Sequence, residues 1–158
     1  MAGYGSDAGF SDWLASNGYQ LPAEAPEPAV LRQRGSVYID GLYGSRFVGV
    51  AADGFQQERA WPRTGAEALG QTIPSTVTPV AIEHGSYAAA FHEAMNPGSL
   101  SAAASASRQV KRKKIDVIET EFFEGSGDAV ADSTVRLAVV EGLLAPFLTA
   151  PQIAVFVV

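Results

Sequence analysis

Between Ser36 and Gly65 the chain reads SVYIDGLYGSRFVGVAADGFQQERAWPRTG, a helix with a marked end followed by a loop whose tryptophan must find cover. Val30, Arg34, Val37, Tyr38, Gly41 and Leu42 recur at spacings of three and four, the period of one helix face. Glycine costs a helix interior about 1 kcal/mol relative to alanine. Gly41 therefore implies close packing, and Gly44 a helix end. After a polar loop the chain returns as Ala60-Trp61-Pro62-Arg63-Thr64-Gly65. Pro62 holds Trp61 extended and removes a backbone donor. Trp61 then reads as an anchor, its ring on the helix and its indole NH seeking an acceptor.

The elements on either side follow from local punctuation. Ser11 to Ser16 forms a short first helix, capped by Ser11 or started earlier at Ser6 or Asp7, stopped by Asn17-Gly18, and burying Trp13 and Leu14. The second helix runs from about Glu27 to Tyr43, with Pro26 or Pro28 at its start. Ala66 to Ser75 is a polar excursion. Thr78 as cap and Pro79 in the first turn open a third helix to about Met95. Its small residues Ala81, Gly85, Ala88 and Ala89 permit close helix approach, Val80, Tyr87 and Phe91 add bulk, and Asn96-Pro97-Gly98 ends it.

Ser99 to Ser107 is nearly all serine and alanine and has too little bulk for a core. Gln109 to Phe123 is strand-like, with Lys111 to Lys114 as a hairpin turn. A last helix runs from Asp132 or Ser133 to Leu148, with Val135, Val139, Leu143 and Phe147 as its stripe, Val140 and Leu144 widening it, and Pro146 bending or ending it. The fold class expected is mainly α: a small bundle of about four helices with a short β-hairpin insertion near 108–124 and extended N- and C-terminal arms. Residues 1–148 form one domain and 149–158 a C-terminal extended arm.

Composition narrows the chemistry. The 158 residues contain no cysteine, which removes disulfides and thiolate chemistry. The start MAGYGSDAGFSDW has neither a basic start nor an apolar run, so no secretion signal is expected, and no stretch is long enough to span a bilayer. Net charge is -6, yet Arg108, Lys111, Arg112, Lys113 and Lys114 hold five of the eleven basic residues. The remainder is distinctly acidic, a poor basis for sequence-independent contact with phosphates.

The residues YIDGLYGSRFVG, AWPRTG, IPSTVTPVAIEHGSYAAA, the basic turn and LLAPFL together resemble a tailed-phage family of small head-tail connector (adaptor, or head-completion) proteins. Its members are often labelled "putative DnaT-like single-stranded-DNA-binding protein". The similarity spans about Asp7 to Leu148 with gaps, and WPRTG is its most specific part. The family usually has a short Pro/Tyr-containing lead into its final helix where this chain has ADSTVRLAVVEG, so that helix's start is left open. The resemblance implies a structural virion protein of the neck, assembled in the host cytoplasm. It implies a twelve-fold ring beneath the portal protein, extending a channel for packaged double-stranded DNA and docking a tail stopper or terminator. No membrane, cofactor or enzymatic activity is implied. The alternative is a single-stranded-DNA-binding replication accessory protein.

Candidate site residues fall into three groups. The structural anchor comprises Trp61, Pro62, Arg63, Asp40 and Tyr43. Asp40 lacks the histidine or nucleophile partner that a general base needs and reads as pairing with Arg46 or Arg63. Tyr38, Tyr43 and Trp61 offer stacking faces for bases, but aromatics at helical spacing fit a core. The second group, Arg108, Lys111, Arg112, Lys113 and Lys114, would meet DNA or an acidic partner. The third, Ile153, Val155, Phe156, Val157 and Val158, is strand-prone with no charged side chain, and reads as a contact that joins the sheet of the portal or a neighbour. His84 and His92 lie eight apart with no HExxH pattern, so a structural or solvated role is expected and no metal.

Overall fold

The computed structural model describes residues 2–101 and 135–149, and its order of elements follows the local signals closely at helix starts and stops. Helix α1 spans Asp7–Ser16, with the Ser6 hydroxyl accepting from the Gly9 N–H at 3.0 Å. Ser6 is thus the cap, one of the earlier starts. Phe10 and Leu14 are its buried face, with Trp13 only half-buried. Helix α2 spans Pro28–Tyr43 with proline in its first turn, and Gly44 opens a short 3-10 turn, as expected. Helix α3 spans Val80–Met95. Pro79 takes the cap position itself and no side chain caps the helix, so Thr78 does not have the role its type suggested.

The packing face of α2 differs from the one the apolar spacing indicates. Leu31, Arg32, Gly35, Ser36, Tyr38, Ile39 and Tyr43 are buried. Val30 and Val37 are 41% and 51% exposed, and a Cβ placed on Gly41 would meet nothing within 4 Å. The close approach is at Gly35, where a Cβ would collide with the Ser86 carbonyl oxygen and lie 2.8 Å from the Ala90 nitrogen. Beside it the hydroxyls of Ser36 and Ser86 sit 2.9 Å apart, both fully buried. Backbone-to-backbone approach selects small residues, and two serines that satisfy one another can be buried at little cost. Hydropathy does not register either preference, so the apolar spacing points one face away.

The tryptophan loop contains two short antiparallel hairpins that its composition did not announce. β1 (Val50–Ala51) pairs with β2 (Arg63–Thr64), and β3 (Glu67–Ala68) with β4 (Gln71–Thr72). Leu69 and Gly70 have φ of 53° and 75°, the two positive values of a two-residue primed turn. Two-residue strands are too short to show alternation. The hairpin expected at 108–124 lies outside the described residues.

Helix α4 spans Ala138–Leu144 and passes into a 3-10 turn, Ala145–Phe147, at Pro146. It starts later than Asp132 or Ser133, because Leu137 is extended and the Val135 carbonyl is taken by the Tyr38 hydroxyl at 2.8 Å. Its buried side is Val140 and Leu144, while Val139 is 65% exposed. Leu144 seats against Gly85 of α3, where an added Cβ would stand 3.3 Å away. The chain then pairs with the segment that follows α2: Phe47 bridges Leu148, and the Thr149 N–H donates to the Arg46 carbonyl at 2.7 Å. Of the expected C-terminal arm, Thr149 is the one described residue, and it is held rather than free.

Together these contacts make the mainly α fold expected, four helices among the described residues, with a small two-hairpin region. Gly35 and Gly41 test the face of α2. Gly35→Ala should destabilise by about 1–3 kcal/mol through overpacking, whereas Gly41→Ala should be neutral or stabilise by up to about 1 kcal/mol. Urea denaturation of both variants reads the difference, and the reverse order would place the packing face at Gly41.

Candidate anchoring network and interaction groove

Trp61 is 2% exposed and lies between Phe47 and Phe147, with ring centroids 5.8 and 6.1 Å away and interplanar angles of 72° and 90°. Edge-on contacts of this kind add to the area term of burial. The buried cluster to which it belongs includes Ile39 and Tyr43 of α2. Its indole nitrogen has no hydrogen-bond partner among the described residues, contrary to expectation. Its backbone N–H donates to the Tyr4 hydroxyl at 3.1 Å, and the Trp61–Pro62 peptide is cis.

Arg63 is buried with its guanidinium spread over main-chain carbonyls: Val48 at 2.8 Å, Ala60 at 3.0 Å, Gly49 at 2.7 Å and Phe47 at 3.3 Å. The planar five-donor fork is suited to gathering diverging carbonyls, and desolvation lowers its pKa. Arg63 thus braces the loop on itself. It does not pair with Asp40, and neither does Arg46. Asp40 accepts from the Tyr4 hydroxyl at 2.6 Å and pairs with Arg59 at 3.2 Å. Tyr43 reaches instead toward Glu141 of α4, at 3.4 Å.

Tyr4 belongs to the same network although it falls in the expected N-terminal arm. It is 5% exposed. Its neighbours are fixed by Arg32, whose guanidinium donates to the carbonyls of Gly3, Tyr4 and Gly5 and pairs with Asp7 at 2.8 Å. Arg59 also donates to the Ala2 carbonyl at 3.0 Å. The N-terminal segment is therefore laid along α2. A lone tyrosine between glycines was the only signal, and it does not name a partner.

The outward face of α2 lines an open groove of about 860 Å³, completed beyond α3 by Pro97, Gly98 and Leu100. Val30, Val37 and Leu42 supply its apolar floor, and the Arg34–Glu93 pair, 3.2 Å apart, flanks it. An apolar concavity with a few polar groups is the usual form of a binding site. The described residues carry eleven carboxylates against six arginines. Five of those arginines are engaged within the chain: Arg32, Arg34, Arg59, Arg63 and Arg136.

His84 lies against Tyr87 with ring centroids 6.0 Å apart, and among the described residues no three potential ligands converge to hold a metal. No described helix is long and apolar enough to cross a membrane. Arg108, Lys111, Arg112, Lys113 and Lys114, like Ile153, Val155, Phe156, Val157 and Val158, lie outside the described residues.

Trp61→Ala should cost about 3–5 kcal/mol, the range for removing a buried aromatic, seen as a lowered thermal midpoint. An unchanged midpoint would remove Trp61 from the core. Burial raises the pKa values of Tyr4, Tyr38, Tyr43 and Tyr87, with the Asp40 carboxylate adding to the effect at Tyr4. The unfolded chain therefore loses these protons first, near pH 10. Stability is full below that pH and falls as pH rises toward the folded-state values. Tyr4→Phe should flatten this alkaline slope in pH-dependent denaturation.

A family model described as "Putative DnaT-like ssDNA binding protein" matches residues 2–158. No curated protein and no solved structure matches the chain.

Proposed function

The chain belongs to the family of that description, and from this premise we propose that it is a non-enzymatic architectural subunit that works by docking to other protein surfaces. In its specific form the proposal is a head-tail adaptor: a ring beneath a portal, through whose lumen packaged DNA passes and whose far face receives the next neck or tail component. Support comes from the phage-connector resemblance carried by AWPRTG and its flanking helices, and above all from how the arginines are used. A protein that tracks a phosphate backbone presents its cations outward. Here Arg32, Arg59 and Arg63 are turned inward onto carbonyls and carboxylates, and the remaining described surface is acidic. The apolar groove of α2 offers contact of the kind protein partners use.

The family description favours a second reading, single-stranded-DNA binding in replication. The run Arg108 to Lys114 would have to carry it, since those five residues hold all the basic charge outside the described part. Such a site would be local, and its affinity would fall steeply with salt.

One titration separates the two. A fluorescently labelled single-stranded oligonucleotide at physiological salt should bind more weakly than about 10⁻⁴ M, the weak end of non-specific affinity, and neutralising Lys111, Lys113 and Lys114 should change nothing. Tight binding lost on neutralisation would establish the second reading. Electron microscopy of the purified protein, alone and with portal-bearing heads, tests the ring directly.

A further inference from the structure

We propose that the turn carrying Phe55 and the groove along α2 are the two halves of one contact, the Phe55 ring of one copy of this chain seated in the groove of the next. The proposal rests on the ring reading, for which it names the contact between subunits.

Phe55 is 97% exposed in the middle of the 3-10 turn Gly54–Gln56. The turn is braced by Gln57, whose side chain accepts from the Asp53 N–H at 3.1 Å and donates to the carbonyls of Arg59 and Pro62 at 2.7 and 2.9 Å. An aromatic ring held out on an ordered turn loses little freedom when it docks, and Phe is among the residue types enriched at interfaces. The groove is its counterpart, with Val30 and Val37 exposed by 41% and 51% beside Leu42 and Leu100. Docking covers apolar area on both partners at once.

Charge selects the occupant. Arg34 is the one cation among the residues lining the groove, and its side chain is half-exposed. Its Nη1 bonds Glu93, which leaves Nε and Nη2 to meet a further carboxylate. Glu93 is buried, and its oxygens are taken by Arg34 and the N–H groups of Gly98 and Leu100. Asp53 and Glu58 stand exposed on either side of Phe55 in the sequence of the turn. One chain thus carries an aromatic flanked by carboxylates and an apolar groove edged by an arginine, and opposite charges across a contact fix its register.

The two halves belong to different flanks of the molecule. Arg59 ties the loop to Asp40 and to the Ala2 carbonyl, on the side of α2 that carries Arg32, Ser36 and Asp40. The groove follows Val30, Arg34, Val37 and Gly41, a different stripe of the helix. Phe55 does not line the groove of its own chain, so filling it takes a second copy. A contact between unlike patches is heterologous: each copy gives its turn to one neighbour and its groove to the other, and the series closes as a ring or continues as a filament.

Sedimentation of the full-length protein over a concentration series reads the contact. Phe55→Asp and Val37→Asp should each weaken self-association about tenfold or more, since each sets an unpaired charge against apolar surface. Both positions are exposed, so the thermal midpoint should stay unchanged. Leu69→Asp, at an 81% exposed apolar residue of the β3–β4 turn, should leave association as it was. Mixing the variants is decisive: the Phe55→Asp chain retains its groove and the Val37→Asp chain its turn, so an equimolar mixture should form pairs and nothing larger. Either variant associating like the unmodified chain overturns this contact and leaves the ring reading standing; if that variant also fails to join portal-bearing heads, the groove receives a foreign protein instead. A mixture that stays monomeric, or a Leu69→Asp chain as weak as Phe55→Asp, overturns the contact as well. A chain monomeric both alone and with portal-bearing heads overturns the contact and the ring together.

Discussion

The backbones of α2 and α3 approach so closely at Gly35 that no side chain fits between that residue and the Ser86 carbonyl. Much else follows from this contact. It brings Ser36 onto Ser86, and the Ser36 hydroxyl then also accepts the Tyr4 N–H at 2.8 Å, which lays the N-terminal segment against the pair. One turn along, Ile39 reaches Gly85, and the room left by that glycine receives Leu144 of α4.

The same contact explains the groove. With Gly35 and Ser36 turned to α3 beside Leu31 and Ile39, Val30 and Val37 are left on the other side of α2, where Leu42 also lines the groove. An apolar helix face left outward is usually an interface, since solvent exposure of such area is unfavourable and soluble surfaces limit it.

Irregular segments are held by arginines rather than by regular secondary structure. Arg32 gathers the carbonyls of Gly3 to Gly5, and Arg63 those of Phe47 to Gly49 with Ala60. Arg59 joins Ala2 to Asp40. Hydrogen bonds from a charged donor are stronger than neutral ones, and the forks of Arg32 and Arg63 each satisfy several main-chain carbonyls. These side chains are thereby committed to the fold and withdrawn from external anions.

Helix boundaries were legible in the sequence wherever a local signal sets them: Pro28 and Gly44 around α2, Asn17-Gly18 after α1, and Asn96-Pro97-Gly98 after α3. Caps, prolines and glycines act over a few residues, so one sequence suffices. The burial of Trp61 was legible too, because so large an apolar ring between a helix end and a proline has few alternatives. Which face of α2 packs was decided only by the tertiary structure, since backbone approach and serine pairing outweigh side-chain hydropathy there. Tertiary structure alone also decided that Asp40 pairs with Arg59, that Tyr4 meets Trp61 across 57 residues of chain, and that α4 begins only at Ala138. Each depends on donors and acceptors brought together from distant positions, and residue type along a single chain does not encode which of several equivalent partners will be within 3 Å.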